Sequence, residues 1–237
     1  MRAAVTVLGL FVLGGCVPMG PVATGPVITP APAAEPFRPD VERAAYTFVS
    51  VVERVEPVAE DICRQRTRGV RCDFQIAIDD RPGQSPNAFQ TLSPDGQPIL
   101  AFNLALILDA RNADELAFVM GHEAAHHIAG HMSRQQQTAV AGAIVAGTLA
   151  SLGGAGAEEV RAAQDMGAQM GARTFSKDFE LEADALGTEI AWAAGYDPRL
   201  GAQFFFRLPD PGNRFLGSHP PNAQRLQVVE QTMQSLR

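Results

Sequence analysis

Two histidines four residues apart, His122 and His126, restrict the local fold of this 237-residue chain to a helix if both imidazoles are to hold one ion. A helix turns by about 100° per residue, so the two side chains then lie on one face, a single turn apart. Neutral imidazole is a common ligand of Zn²⁺, and two such ligands leave room for a third ligand and a water molecule. Glu123 lies close to the same face and is a candidate general base. The spacing predicts a metal-binding helix, although an H-E-x-x-H sequence also occurs by chance in solvated helices.

The start of this helix is marked by Asn112, with Glu115 three residues later in the pattern of a capping box. We expect the helix to continue to about Met132. On one continuous helix His131 points roughly 140° away from His126. The three-histidine zinc pattern also places its last histidine one residue further along the chain. His131 is therefore not predicted to be a ligand.

A third ligand is offered by an acidic segment of a helix expected to begin near Ser176 and to end at Gly195. Glu180 and Asp184 are one helical turn apart, whereas Glu182 points to the other side. Glu180 could therefore bind the metal while Asp184 accepts a hydrogen bond from the second ring nitrogen of a ligating histidine. The same residues are typical of a solvated acidic first turn, which the helix dipole favours. Taken alone, the segment is better explained as such a solvated first turn.

The remaining elements indicate an α+β domain that is predominantly helical. A helix is predicted at 41–63, and alternating apolar residues predict a strand at 74–78. Two further strands are predicted at 86–92 and 98–103, joined by a hairpin turn at 93–96, where Asp-Gly readily supplies a positive φ. We expect a small antiparallel sheet beside the metal-binding helix.

Residues 138–157 are apolar, uncharged and rich in glycine and alanine. The segment is nearly as long as the roughly 20 residues that cross a bilayer, but its small side chains make it only weakly hydrophobic. We expect a buried or partly mobile helix near the metal-binding helix. A hairpin that touches a membrane is the alternative.

The N-terminus resembles a bacterial lipoprotein signal. A positive residue and a short apolar run precede Leu13-Gly14-Gly15-Cys16, which resembles a lipobox. We expect residues 1–15 to be a signal peptide and Cys16 to become a lipidated first residue that anchors the chain without a membrane span. A plain signal peptide or a coincidental cysteine is the alternative. Val17 after the cysteine favours the outer membrane over the inner one.

Seven prolines among residues 16–39 predict an extended, semi-rigid spacer, so the folded domain is expected at 40–237. Cys63 and Cys72 then remain as an even number in a compartment that permits disulfides. We expect them to form a disulfide, because no Cys-x-x-Cys spacing supports a metal site. Two buried thiols or half of a metal site are the alternatives.

Composition narrows the classes of protein and partner. The 26 acidic and 19 basic residues give a formal net charge of −7. Such a chain lacks the basic face that nucleic-acid binding requires, so no nucleic-acid partner is predicted. A hydrophobic fraction of 46% with 19% charged residues excludes both a disordered chain and a polytopic membrane protein.

Taken in order, these motifs resemble those of the HtpX and CAAX-prenyl-protease family of gluzincin metallopeptidases, especially its soluble members of the bacterial envelope. Residues 41–80 match less clearly, and Ala124-Ala125 stand where the family often has Leu-Gly. The chain also lacks the strong transmembrane helices of the integral-membrane members, so an intramembrane role on prenylated proteins is not expected. The resemblance is carried by residues 86–89, 114–117, 122–126, 176–184, 194–198 and 218–221, together with Arg225.

The resemblance implies a gluzincin-like domain in which His122, His126 and Glu180 bind one zinc ion per chain and Glu123 is the general base. It also implies roles for three residues around the ion. These are Asp184 as the hydrogen-bond partner of a ligand, His219 as a group that stabilises the tetrahedral oxyanion, and Arg225 as a support of the site.

The expected function is that of a zinc-dependent endopeptidase which faces the periplasm, cleaves unfolded or misassembled envelope proteins and works with partners in envelope assembly. The strand at 98–103, or the one before it, would align an extended substrate by edge pairing. One alternative is a chaperone-like or scaffold lipoprotein whose zinc site is largely silenced, for example by His219 in the open zinc position. A purely structural zinc ion is the other alternative.

Overall fold

The computed structural model of this chain describes residues 39–174, 176–208 and 220–236. The predicted signal peptide, Cys16, the spacer up to residue 38 and His219 lie outside the described residues, and what was expected of them stays a prediction. The elements in chain order are α1 (Pro39–Arg66), β1 (Gln75–Asp79), β2 (Ala88–Leu92), β3 (Pro98–Asn103), α2 (Leu104–Asp109), α3 (Ala113–Ile128), α4 (His131–Leu152), α5 (Ala157–Thr174), α6 (Ser176–Ala193), α7 (Pro198–Gly201), a 3-10 helix (Ala202–Arg207) and α8 (Asn222–Ser235).

The predicted α+β class with mainly helical content is confirmed, but the sheet is mixed rather than antiparallel. Its strand order is β1-β3-β2, with β2 antiparallel and β1 parallel to the central β3. The tight turn after Leu92 pairs β2 with one edge of β3. The other edge of β3 pairs with β1, which runs in the same direction as β3. Apolar alternation fixes which face of a strand is buried and carries no information on the direction of its neighbour.

Helix α3 lies at the centre of the core, between α1, α6 and the sheet, and most of its side chains are buried. Two glycines bring α3 and α6 into backbone contact. A β-carbon on Gly121 would lie 2.8 Å from the carbonyl oxygen of Gly187, and one on Gly187 would lie 2.8 Å from the amide nitrogen of His122. Larger residues at these two positions would push the helices apart, so the glycines set how closely α6 approaches the histidine pair.

The first turn of α3 follows the capping prediction in part. The side chain of Asn112 accepts a hydrogen bond from the Glu115 amide at 2.9 Å. The Glu115 carboxylate accepts from the amide of Arg111, one residue before the cap, and forms an ion pair with Arg207 on two oxygens. This ion pair between the buried Glu115 and the partly buried Arg207 ties the start of α3 to the 3-10 helix.

The expectation that α3 continues to Met132 is wrong, because the helix ends at Ile128. Gly130 has a φ of 67°, in the left-handed region that glycine adopts without a steric penalty. The chain turns at this residue, and α4 begins at His131. The direction of the His131 side chain is therefore not the one predicted from a continuous helix.

Residues 138–157 form the second part of α4 and the turn into α5, rather than a buried helix. Helices α4 and α5 pack together as an antiparallel hairpin. The two helices are in backbone contact through glycines, since a β-carbon on Gly142 would overlap the carbonyl oxygen of Gly167. The outer faces are exposed: 61% of Ile144 and 80% of Leu152 are accessible to solvent. None of the helices in the described part of the chain combines the length and the apolar character that a membrane crossing needs.

A disulfide joins Cys63, near the end of α1, to Cys72, just before β1, with their Cα atoms 5.7 Å apart. Both cysteines are buried against the core. The bond therefore links the first helix to the segment that leads into the sheet.

Candidate metal centre

Two histidines of α3 and one glutamate of α6 point their ligand atoms at a common point. His122 Nε2 lies 3.0 Å from His126 Nε2 and 3.7 Å from Glu180 Oε2, and His126 Nε2 lies 3.4 Å from Glu180 Oε1. All three ligand atoms lie within 4.8 Å of one another. Ligand atoms about 2.1 Å from a tetrahedral zinc ion are roughly 3.4 Å apart, so these separations suit a single ion.

The other ring nitrogen of His122 is held by a buried carboxylate. Asp184 Oδ1 accepts a hydrogen bond from His122 Nδ1–H at 2.9 Å, and Asp184 is fully buried. Arg225 donates to both carboxylate oxygens, each at 2.7 Å, and its guanidinium lies 3.7 Å from the ring centre of Phe205. Burial lowers the pKa of His122, whereas the hydrogen bond to Asp184 and its charge raise it, and the net shift is upward. The structure thus places Asp184 and Arg225 beside the ligand that they were predicted to support.

The other ring nitrogen of His126 is held by His131, a contact that the sequence-based prediction missed. His131 Nδ1 lies 2.8 Å from His126 Nδ1, and His131 Nε2 lies 3.2 Å from Glu182 Oε2. The Glu182 carboxylate in turn accepts from Arg134 at 2.7 Å. The glycine after Ala129 was the signal that could have found this contact, because a turn with positive φ at that point redirects His131 toward α3.

These contacts determine the tautomers of both ligands. Burial lowers the pKa of His131 to about 4, so its ring is neutral at neutral pH and one nitrogen donates while the other accepts. The carboxylate of Glu182 can only accept, so His131 Nε2 is the donor and its Nδ1 accepts from His126 Nδ1–H. When both rings are neutral, both Nε2 atoms are bare acceptors facing Glu180. Three converging acceptor atoms suit a bound cation, so the chemistry of this donor set fits a metal ion.

The donor set also indicates the type of metal site. Among the residues that the structure describes, the ligand cluster contains two imidazoles and one carboxylate, and no further protein ligand. Structural zinc sites have four protein ligands, whereas catalytic ones have three and leave one position open. The three described ligands match the number found in the catalytic pattern.

Glu123 lies on α3 beside the cluster and is partly buried. Burial raises the pKa of its carboxyl group, and the neighbouring His122 and His126 act in the opposite direction. The side chain lines two adjoining cavities, both of which also contain His122 and Glu180. A carboxylate in this position can reach a water molecule or a substrate that enters either cavity.

The two cavities share Ala88, His122, Glu123 and Glu180 and differ in their other lining residues. One has a volume of about 250 Å³, and its wall includes Phe118, Phe204 and Leu208. The other has a volume of about 280 Å³ and includes Gln90, Met132 and Gln135. We refer to the two together as the cleft.

Strand β2 runs along the cleft as an edge strand. Ala88 lines both cavities, and β2 pairs on one side with β3. The amide of Asn103 donates to the carbonyl of Asn87, so the antiparallel alternation directs the backbone groups of Ala88 and Gln90 away from β3. These groups are positioned to pair with an extended peptide.

Comparison with known proteins gives a family and two relatives. The model of peptidase family M48 matches residues 50–233. A Yersinia pestis protein named "Beta-barrel assembly-enhancing protease" is 36% identical over 129 residues, which cover 49% of this chain and 25% of the relative. A Vibrio cholerae protein named "Putative beta-barrel assembly-enhancing protease" is 31% identical over 132 residues, which cover 52% of this chain and 26% of the relative. The matching part of this chain thus spans about a quarter of the length of each relative.

Proposed function

The chain belongs to peptidase family M48, and from this membership we propose that it is a zinc-dependent endopeptidase that cleaves unfolded or misassembled proteins of the bacterial envelope. The observation that carries the proposal is the open cluster of His122, His126 and Glu180 with Glu123 beside it. We also propose that the chain is a lipid-anchored, periplasm-facing member of the HtpX and CAAX-protease type. The predicted lipobox supports this location.

The residues of the cleft have distinct tasks in peptide hydrolysis. Zinc, when bound, supplies a Lewis acid that polarises the scissile carbonyl and makes water a better nucleophile. Glu123 accepts the proton of the attacking water molecule and can return it to the leaving amine. Asp184 and His131 hold the two imidazoles in the tautomer that presents Nε2 to the ion. Each ligand is therefore oriented before the substrate arrives.

Substrate alignment is assigned to β2. Of the two strands that the sequence offered for this task, β3 is paired on both sides, whereas β2 has its second edge along the cleft. Edge pairing uses backbone groups, so it selects extended chains and has little specificity for their sequence. This favours unfolded substrates. The names of the two relatives, which refer to β-barrel assembly, support an envelope protein as the substrate.

The test of the proposed function is the zinc content and the casein-cleaving activity of the full chain, before and after chelation. We expect one zinc per chain, cleavage of unfolded casein, loss of both with a chelator, and recovery on adding zinc. Glu180→Ala should lose most of the zinc, because it removes one of three ligands. Asp178→Ala, which removes an exposed carboxylate on the same helix, is the matched control and should bind zinc normally. Zinc without cleavage would favour the chaperone-like alternative, and a folded protein without zinc would exclude the peptidase.

Replacing His131 by phenylalanine is expected to weaken zinc binding by about 10- to 100-fold, as for other residues that orient a metal ligand. Phenylalanine keeps the stacking of this ring on Phe179, at 4.7 Å between ring centres, but loses the hydrogen bonds to His126 and Glu182. Competition with a chromophoric chelator measures the affinity. His127→Phe is the control, because His127 bonds to the backbone of Arg71 instead. Equal zinc affinity in the two variants would show that His131 does not orient His126.

A further inference from the structure

The helical hairpin formed by α4 and α5 leaves a set of large apolar side chains exposed to solvent. Exposed apolar surface of this kind marks contact sites in soluble proteins. The side chains concerned are 45–80% accessible to solvent and are Met132, Val140, Ile144, Val145, Leu149, Leu152, Met166 and Met170.

One set of side chains on α4 repeats every four residues, the spacing that forms a ridge on the surface of a helix. Every member is uncharged and exposed, and four of the six are apolar. We call this set the α4 row: Met132, Gln136, Val140, Ile144, Thr148 and Leu152.

The α4 row begins in the wall of the cleft. Met132 lines the cavity that contains His126 and Glu180. A shallow concavity follows along α4 beside Gln136, Val140 and Ile144, and a second lies beside Ile144, Thr148 and Leu152. The three concavities thus succeed one another along the helix, and the last two share Ile144. A polypeptide that leaves the cleft on this side meets a continuous uncharged surface.

We propose that the α4 row binds an extended, apolar segment of the polypeptide substrate outside the cleft, an inference that rests on the proposed peptidase function. The row is about 30 Å long at 1.5 Å per residue of helix. An extended chain of about nine residues at 3.3 Å each covers that length. Substrates long enough to fill both the cleft and the row bind more tightly than short peptides that fill the cleft alone.

The charges of the hairpin favour a polypeptide over a lipid surface. Helices that bind at membrane surfaces carry lysine and arginine on their polar face. The one arginine of α4 is Arg134, near the cleft end, and the helix has no lysine. At the opposite end, Glu158 and Glu159 outnumber Arg161 in the first turns of α5, which disfavours an anionic membrane at the tip. An apolar segment of a polypeptide needs no such cations.

The test compares two double variants of the full chain. Val140→Gln/Ile144→Gln alters the α4 row, and Val145→Gln/Leu149→Gln is the matched control. The control pair has the same helix, the same spacing and similar residue types, with accessibilities of 59% and 65% against 53% and 61%. Glutamine is a good helix former, so neither variant weakens α4 much. Both are made with and without Glu123→Gln, so that binding is also measured without cleavage.

With labelled unfolded casein as the probe, we expect the row variant to bind about tenfold more weakly and to lose the same factor in kcat/KM. Cleavage of a short casein peptide that fills only the cleft should be unchanged, and the control variant should match wild type with both substrates. If wild type cleaves neither substrate, the proposed function fails, while casein binding by the Glu123→Gln proteins still tests the row.

Three outcomes would overturn the proposal. The first is that the row variant binds casein as tightly as wild type does. The second is that the row variant and the control variant lose casein binding equally, which would indicate non-specific adhesion of casein to the hairpin. The third is that the row variant keeps casein binding but no longer binds phosphatidylcholine vesicles, or no longer forms a dimer that wild type forms in sedimentation experiments. The occupant would then be a membrane or a second copy of this chain.

Discussion

Replacing Glu123 by glutamine is expected to lower kcat/KM for peptide hydrolysis by about 100- to 10,000-fold, the usual contribution of a general base. The amide has nearly the size and shape of the carboxylate, so the partly buried position beside His122 and His126 stays filled. It cannot accept a proton from water. Zinc content should be unchanged, because Glu123 is not part of the ligand cluster. Initial rates with casein, together with elemental analysis of the same samples, separate the two effects.

Glu189→Gln is the control for this prediction. Glu189 lies on α6, is only partly buried and pairs with Arg66, so its change removes a carboxylate without altering the cleft. Its activity should equal that of wild type. A Glu123→Gln protein that retains more than about a tenth of wild-type activity would contradict the role of Glu123 as the base.

Replacing Arg225 by methionine is expected to lower the free energy of unfolding by about 3–5 kcal/mol, the cost of leaving one partner of a buried ion pair without the other. The fully buried carboxylate of Asp184 receives two hydrogen bonds from this guanidinium. Methionine preserves contact with Phe205 but supplies neither a donor nor a charge. Urea unfolding of protein stripped of metal measures the effect without the added stability that a bound ion provides.

Arg199→Met is the matched control, because Arg199 forms an ion pair with Glu230 at the surface. Exposed pairs contribute about 0–1 kcal/mol, so this variant should unfold close to wild type. Zinc affinity should fall in Arg225→Met alone, since Asp184 then holds His122 less well. Equal stability of the two variants would mean that Asp184 does not depend on Arg225.

The spacing of residues predicted much of the candidate metal centre because helical geometry is regular. Residues four apart share a face of a helix, and this rule pairs His122 with His126 and Glu180 with Asp184 from their sequence positions alone. Asn112 was identified as a cap because its side chain can satisfy an amide that the helix leaves free, and it does so. Regular local rules such as these need no knowledge of the neighbouring elements.

The parts that spacing did not predict depend on irregular backbone or on distant contacts. His131 contacts His126 because Gly130, with its positive φ, interrupts the helix between α3 and α4, and the helical angle used in the prediction does not apply across such a turn. The exposure of α4 depends on which elements pack against it, and the apolar pattern of residues 138–157 resembles that of a buried helix. The parallel pairing of β1 likewise follows from the topology.

The cation that pairs with the buried carboxylate of Asp184 is made late in the synthesis of the chain. Arg225 lies 41 residues after Asp184 and 103 residues after His122, on the last helix that the structure describes. During synthesis or export, α3 and α6 therefore emerge while the buried carboxylate still lacks its cation. A nascent chain that ends before α8 contains His122, His126 and Glu180 but not Arg225. Docking of α8 therefore completes both the hydrogen bonds to Asp184 and the wall of the cleft. The hydrogen bonds from Arg225 that hold Asp184 are thereby delayed until α8 has been made.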